Sequence, residues 1–96
     1  MASRPQETTT VRLENKRVKA TEHVLAPGAE TGWHVHAYDY VIVPLTDGTM
    51  LLEEPEGERR TPVTIGIPYA REAGVEHNVV NDGDKELRFV EVEIVG

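Results

Sequence analysis

The chain contains no cysteine. Neither a disulfide framework nor a thiolate metal site is therefore available to it. Basic residues are few, 10 against 17 acids, for a formal charge of −7. With no basic stripe, nucleic acid is not an expected partner, and the acidic balance speaks mainly for solubility. No run approaches the roughly 20 apolar residues of a membrane span, so no membrane is expected. The opening residues, Met1-Ala-Ser-Arg-Pro-Gln-Glu7, hold no apolar segment and do not read as a secretory signal. They read as a disordered tail over residues 1–7, ahead of a single domain over 8–96. A cytoplasmic location fits these absences. Helical periodicity is missing as well, because no long window repeats at that spacing.

What remains has a period of two. Short runs that are rich in β-branched residues fall at 8–13, 18–26, 33–37, 40–45, 49–53, 60–67, 69–73, 75–80 and 87–95. Pro27-Gly28, Asp47-Gly48, Pro55-Glu-Gly57 and Asn81-Asp-Gly83 punctuate them as turns. Strands recurring at this spacing predict an all-β sandwich or barrel. Pro62 suggests an edge position for its strand. The continuous apolar run 40–45 suggests a strand buried on both faces. The last run changes phase: Leu87 and Phe89 are apolar on one face and Val90, Val92 and Ile94 on the other, while Glu91 and Glu93 continue the first face. A bulge would explain this, and so would an intersubunit contact.

His34 and His36 are two apart at the head of a strand, so their imidazoles share a face. His77 lies in a later strand-like run. Neutral imidazole suits zinc, iron, nickel, copper and manganese. Three imidazoles on neighbouring strands can take one face of a metal and leave the other positions open. An isolated His-x-His is ordinarily a polar pair on a solvent face, so the surrounding residues decide the matter.

Those residues resemble the two motifs of the cupin family. Gly28, five residues, His34-Val-His36 and then Gly48 follow the first; Gly66, five residues, Glu72-x-Gly74, two residues, His77, three residues and Asn81 follow the second, with Glu72 where proline is usual. The resemblance implies a cupin jelly-roll barrel (a double-stranded β-helix, RmlC-like) with His34, His36 and His77 as ligands of a divalent transition metal. The family's glutamate ligand is missing. Counting four residues past His36 sets Val41 at its place and keeps Gly48 in step, and counting three sets Tyr40 there; the four-residue count is preferred. A site of three histidines is similar to that of cupin dioxygenases that hold iron, which makes iron the leading metal. Asp39 and Tyr40 are candidate outer ligands. The wording around the motifs is similar to small single-domain cupins associated with β-alanine catabolism.

Tyr69 and Arg71 share one face of an extended segment. Facing inward, Arg71 would grip a carboxylate with two hydrogen bonds and Tyr69 would donate a third. These two are the candidate catalytic residues for a small anionic substrate. His23 has no motif around it and reads as a surface or interface residue; Trp33 reads as a core or dimer contact. A dioxygenase-like enzyme acting on a small oxygen-rich acid and a non-catalytic metabolite-binding or accessory cupin both remain open. The apolar outer faces of 40–45 and 87–95, with the resemblance, suggest a homodimer.

Overall fold

In the computed structural model, which describes residues 3–96, alternation of side chains resolves into nine strands, and the described residues hold no helix. They are β1 (Thr8–Glu14), β2 (Val18–Leu25), β3 (His34–Val35), β4 (Tyr40–Pro44), β5 (Gly48–Glu54), β6 (Gly57–Val63), β7 (Tyr69–Arg71), β8 (Glu76–Val80) and β9 (Leu87–Ile94). Pairing is antiparallel throughout, in one sheet ordered β1-β2-β9-β4-β7 and another ordered β3-β8-β5-β6. Neighbours distant in sequence within two packed sheets make a jelly-roll barrel. Pro62 stands on β6, the edge strand of the smaller sheet, where its missing N–H leaves no gap in a ladder. No helix is long and apolar enough to cross a membrane.

Register fixes which side chains meet in the interior. On the larger sheet, Thr21, Glu91, Ile42 and Tyr69 form one cross-strand row, and Lys19, Glu93, Tyr40 and Arg71 form the next. Residues opposite one another share a face. Tyr40 and Ile42 belong to the buried core with Leu25, Leu52, Leu87 and Phe89, so both rows face inward. Val41 and Val43, on the other face of β4, are only half-buried. This corrects the expectation of a strand buried on both sides. The β9 ladder runs from Leu87 to Ile94 without a slip, so there is no bulge there. The register shift lies in β1, between Val11 and Leu13. The inner face of β9 changes from Leu87 and Phe89 to Glu91 and Glu93 because the last two line a cavity instead of a packed core.

Residues 4–7 depart from the expected tail. Glu7 donates its backbone N–H to the Glu30 carbonyl at 3.0 Å, and the Pro5 carbonyl accepts from Glu30 at 2.9 Å. Arg4 reaches Glu53 with two hydrogen bonds of 2.9 and 3.1 Å. Polar composition suggested disorder, but the edge offered by Glu30 gives these backbone groups partners. Met1 and Ala2 lie outside the described residues.

Asn81 closes the barrel's end. Its side chain is 3% exposed, donates to the carbonyls of Leu25 (2.9 Å) and Lys85 (2.8 Å), and accepts from the Gly83 N–H (3.1 Å). Replacing it strands a buried carbonyl in an apolar setting. Asn81→Ala is expected to lower unfolding free energy by about 2–3 kcal/mol, read from the urea midpoint.

Candidate metal centre

Two strands of the smaller sheet bring the histidines together. β3 pairs with β8 so that His34 lies opposite His77. His36 falls just past the end of β3 and is held by its backbone: its N–H donates to Val75 (2.9 Å) and its carbonyl accepts from Gly74 (2.8 Å). Gly74 sits at φ +97°, a left-handed conformation that glycine adopts without strain. The segment before His34 is fixed from β8. Buried Asn78 accepts the Gly32 N–H at 2.9 Å and donates to Glu30 (2.8 Å) and Glu53 (2.9 Å).

His34 Nδ1 lies 2.7 Å from the Gly32 carbonyl. A carbonyl only accepts, so Nδ1 carries the proton and Nε2 presents a lone pair. The Nε2 atoms of His34 and His36 are 3.0 Å apart, and those of His36 and His77 are 3.1 Å apart. All three histidines offer a nitrogen to one point, within 4.8 Å of one another. Three Nε2 atoms cannot satisfy one another by hydrogen bonding alone, since His36 Nε2 would serve two neighbours with one proton or one lone pair. A shared cation resolves this. Two metal–nitrogen bonds of about 2.1 Å leave their nitrogens about 3.0 Å apart at 90° and about 3.4 Å apart at the tetrahedral angle. The two spacings at His36 thus fit nitrogen–metal–nitrogen angles near 90°. Burial, with the neighbouring histidines adding to it, pushes His36 down to about 4; burial and then His34 do the same for His77, also to about 4. At neutral pH both imidazoles are unprotonated, as metal ligation requires.

Tyr40, not Val41, is the residue that faces this group. Its ring stacks on His36 with centroids 3.8 Å apart. The motif count favoured Val41, but strand alternation turns that side chain to the outer face. Burial raises the Tyr40 hydroxyl, Glu91 and Tyr69 adding to it, so it stays protonated. Asp39 is exposed and already accepts the Ala73 N–H at 2.8 Å; it braces a turn and does not approach the histidines. Trp33, expected in a core or at a dimer contact, is 51% exposed and donates to Glu76 at 2.7 Å.

Tyr69 and Arg71 are on the inward rows and line the same cavity, of about 440 Å³, as the three histidines. The Arg71 guanidinium lies 4.8 Å over the Tyr69 ring and donates one hydrogen bond to the Ala70 carbonyl. Tyr69 points its hydroxyl at Met50 Sδ, 3.5 Å away. The geometry leaves further guanidinium N–H groups for a ligand. Arg59, from β6, also lines the cavity but is paired with Glu54 at 2.7 Å.

His23 is not on the surface. It lines the cavity, stacks on Phe89 with centroids 4.9 Å apart, and binds Glu7 through Nδ1 at 2.6 Å. Burial pulls its pKa down, but the Glu7 hydrogen bond and the charges of Glu7, Glu91 and Glu93 outweigh that, and the net shift is upward. Glu91 is raised by burial; His23 draws it back, and Glu93 and Glu7 push it up. No motif marks these residues. The signal available was the pair of glutamates continuing the apolar face of β9.

Fold and site together define a small jelly-roll barrel whose interior gathers three histidine nitrogens. The family model for the Cupin domain matches residues 21–93, and the chain belongs to the cupin family. It is 57% identical over 94 residues to the Beta-alanine degradation protein BauB of Pseudomonas aeruginosa, covering 98% of this chain and 99% of that one. The crystal structure of a cupin domain from Bordetella pertussis Tohama I superposes with a TM-score of 0.95 at 52% identity, covering 98% of each chain. The polyketide cyclase RemF of Streptomyces resistomycificus shares the fold, with a TM-score of 0.76 at 22% identity, over 99% of this chain and 71% of its own.

Because the Glu91 pKa is raised in the folded state, the native protein holds that proton more tightly than the unfolded chain. The associated stability is present at low pH and is lost as pH rises through the folded value. Glu91→Gln cannot acquire the buried charge. It is expected to show a higher urea midpoint than the parent at pH 8, and the gap is expected to close as pH falls to about 4.

Proposed function

We propose that this protein is a metal-dependent enzyme of dioxygenase type that acts on a small oxygen-rich acid. The observation that carries the reading is the placement of His36 Nε2 3.0 Å from that of His34 and 3.1 Å from that of His77, all three histidines offering nitrogens within 4.8 Å of one another, with the His34 tautomer set by the Gly32 carbonyl. His34, His36 and His77 would hold the ion, and iron is the preferred metal because a three-histidine set is similar to that of iron-holding cupin dioxygenases. A metal so held would supply Lewis acidity and redox chemistry.

The protein's own groups do the rest. Arg71 orients the acid through a charge-assisted hydrogen bond, with the Tyr69 ring behind it. Tyr40 keeps the His36 ring in place by stacking. Apolar walls from Ile42, Leu52 and Val79 limit water around the reacting group. The name of the Pseudomonas relative supports a setting in β-alanine degradation.

Elemental analysis of untagged protein is expected to find about one equivalent of iron or a related divalent ion, lost in His77→Ala. Oxygen uptake on a panel of short keto, thiol and β-alanine-derived acids is expected for the metal-loaded protein. Arg71→Met should raise KM about ten- to hundredfold. Metal without uptake on any acid would favour a binding role, and no metal would remove the reading.

We propose further that the protein is a homodimer joined through the outer face of the larger sheet. Val18, Val24, Val41, Val43, Val90 and Val92 are half-buried on that face beside exposed Leu13 and Ile94, an apolar surface costly to leave in water. Sedimentation is expected to give a mass near twice 10.7 kDa, and a stable monomer would overturn this.

A further inference from the structure

The cavity separates its charges. On one wall, Arg71 has no carboxylate partner within 4 Å among the described residues, while its neighbour Arg59 is neutralised by Glu54. Two strands away across the same sheet, Glu91 and Glu93 line the same space together with His23 and Glu7. Even with His23 protonated, that group carries one cation against three carboxylates. A cation, Lys19, stands opposite Glu93 in the register of the β2–β9 ladder. Glu91 does not have one so placed: its row is Thr21, Ile42 and Tyr69. The side chain of Glu91 is 14% exposed, and His23 Nε2, 4.0 Å away, is beyond hydrogen-bond reach. That nitrogen is itself buried without a partner. His23 Nε2 and the Glu91 carboxylate therefore face each other across 4.0 Å, in a setting where unpaired polar atoms are costly.

The three histidines line the same cavity from the side of the smaller sheet. The charge of His23 bears on His36, and those of Arg59 and Arg71 bear on His77. β7, which bears Arg71, and β9, which bears Glu91, flank β4. At about 4.8 Å per strand spacing, the backbones that carry Arg71 and Glu91 are roughly 10 Å apart. Both side chains line a cavity of about 440 Å³, which has room for a small molecule between their charged ends.

We propose that the ligand of this cavity is a small zwitterion, an ω-amino acid of three or four carbons, whose ammonium group donates to the Glu91 carboxylate and takes the place of a proton on His23 Nε2, the Nδ1–H staying with Glu7, while its carboxylate faces Arg71. This rests on the reading above for the carboxylate end and adds the amine end. The residue that selects an amino acid over a plain acid is then Glu91, with Glu7 positioning His23 through Nδ1. The ligand reaches this protein with its amino group still attached.

The test is calorimetry on the metal-loaded protein with 3-aminopropionate (β-alanine), propionate and n-propylamine, with metal content measured alongside. The wild type is expected to bind 3-aminopropionate at least tenfold more tightly than propionate, and n-propylamine weakly. In Glu91→Gln that preference is expected to disappear while propionate binding and metal content stay unchanged. Equal binding of the two acids by the wild type overturns the proposal without any variant. A preference that survives Glu91→Gln overturns it too. Binding of neither acid overturns it as well; if metal is retained in that case, the metal reading stands without the amine end. Absence of metal is the separate failure that belongs to the earlier reading.

Discussion

A ladder two residues long decides the character of this protein. Pairing of β3 with β8 sets His34 opposite His77, and the turn at Gly74 folds back to clamp the His36 backbone. Everything chemical in the cavity is referred to these contacts. A strand so short has little stability of its own, and the hydrogen bonds of Asn78 to Gly32, Glu30 and Glu53 supply what the ladder lacks. The site thus draws its rigidity from a buried amide and a glycine turn rather than from a long element.

The same economy appears in the larger sheet. Its inner face carries core residues at one end and polar residues at the other, without any break in register. Uninterrupted pairing lets a strand change its chemistry in mid-course: Leu87 and Phe89 pack, and Glu91 and Glu93 line open space. The carboxylate of Glu91 is held in surroundings that disfavour its charge, at a cost in stability above its folded pKa. Tyr40 sits between the two regimes, buried in the core and stacked on a histidine.

The sequence made the strands legible because turn residues bracket almost every one, and it made the three histidines legible because fixed glycines and Asn81 surround them. Arg71 and Tyr69 were identified as a pair, but their direction depended on pairing with Tyr40 and Ile42, which only the folded sheet supplies. The motif count pointed to Val41, while alternation along β4 selects Tyr40; a spacing rule measures chain length, and the pleat decides the side. His23 and Glu7 carried no local signal at all. Their significance comes from a contact between β2 and a segment 16 residues earlier, which composition alone assigns to a loose end. The glutamates of β9 were visible as an anomaly of phase; the ladder is continuous, so no bulge accounts for it, and the glutamates line a hollow interior.

The place of Glu7 has a practical bearing on how such a domain is delimited. The family match begins at residue 21, yet the carboxylate that orients His23 lies well upstream of it, on a stretch stitched to Glu30 and Glu53. Trimming the polypeptide to the matched segment would keep the three histidines and remove part of the lining of the chamber. The stretch that carries Glu7 is, for this barrel, a piece of its wall.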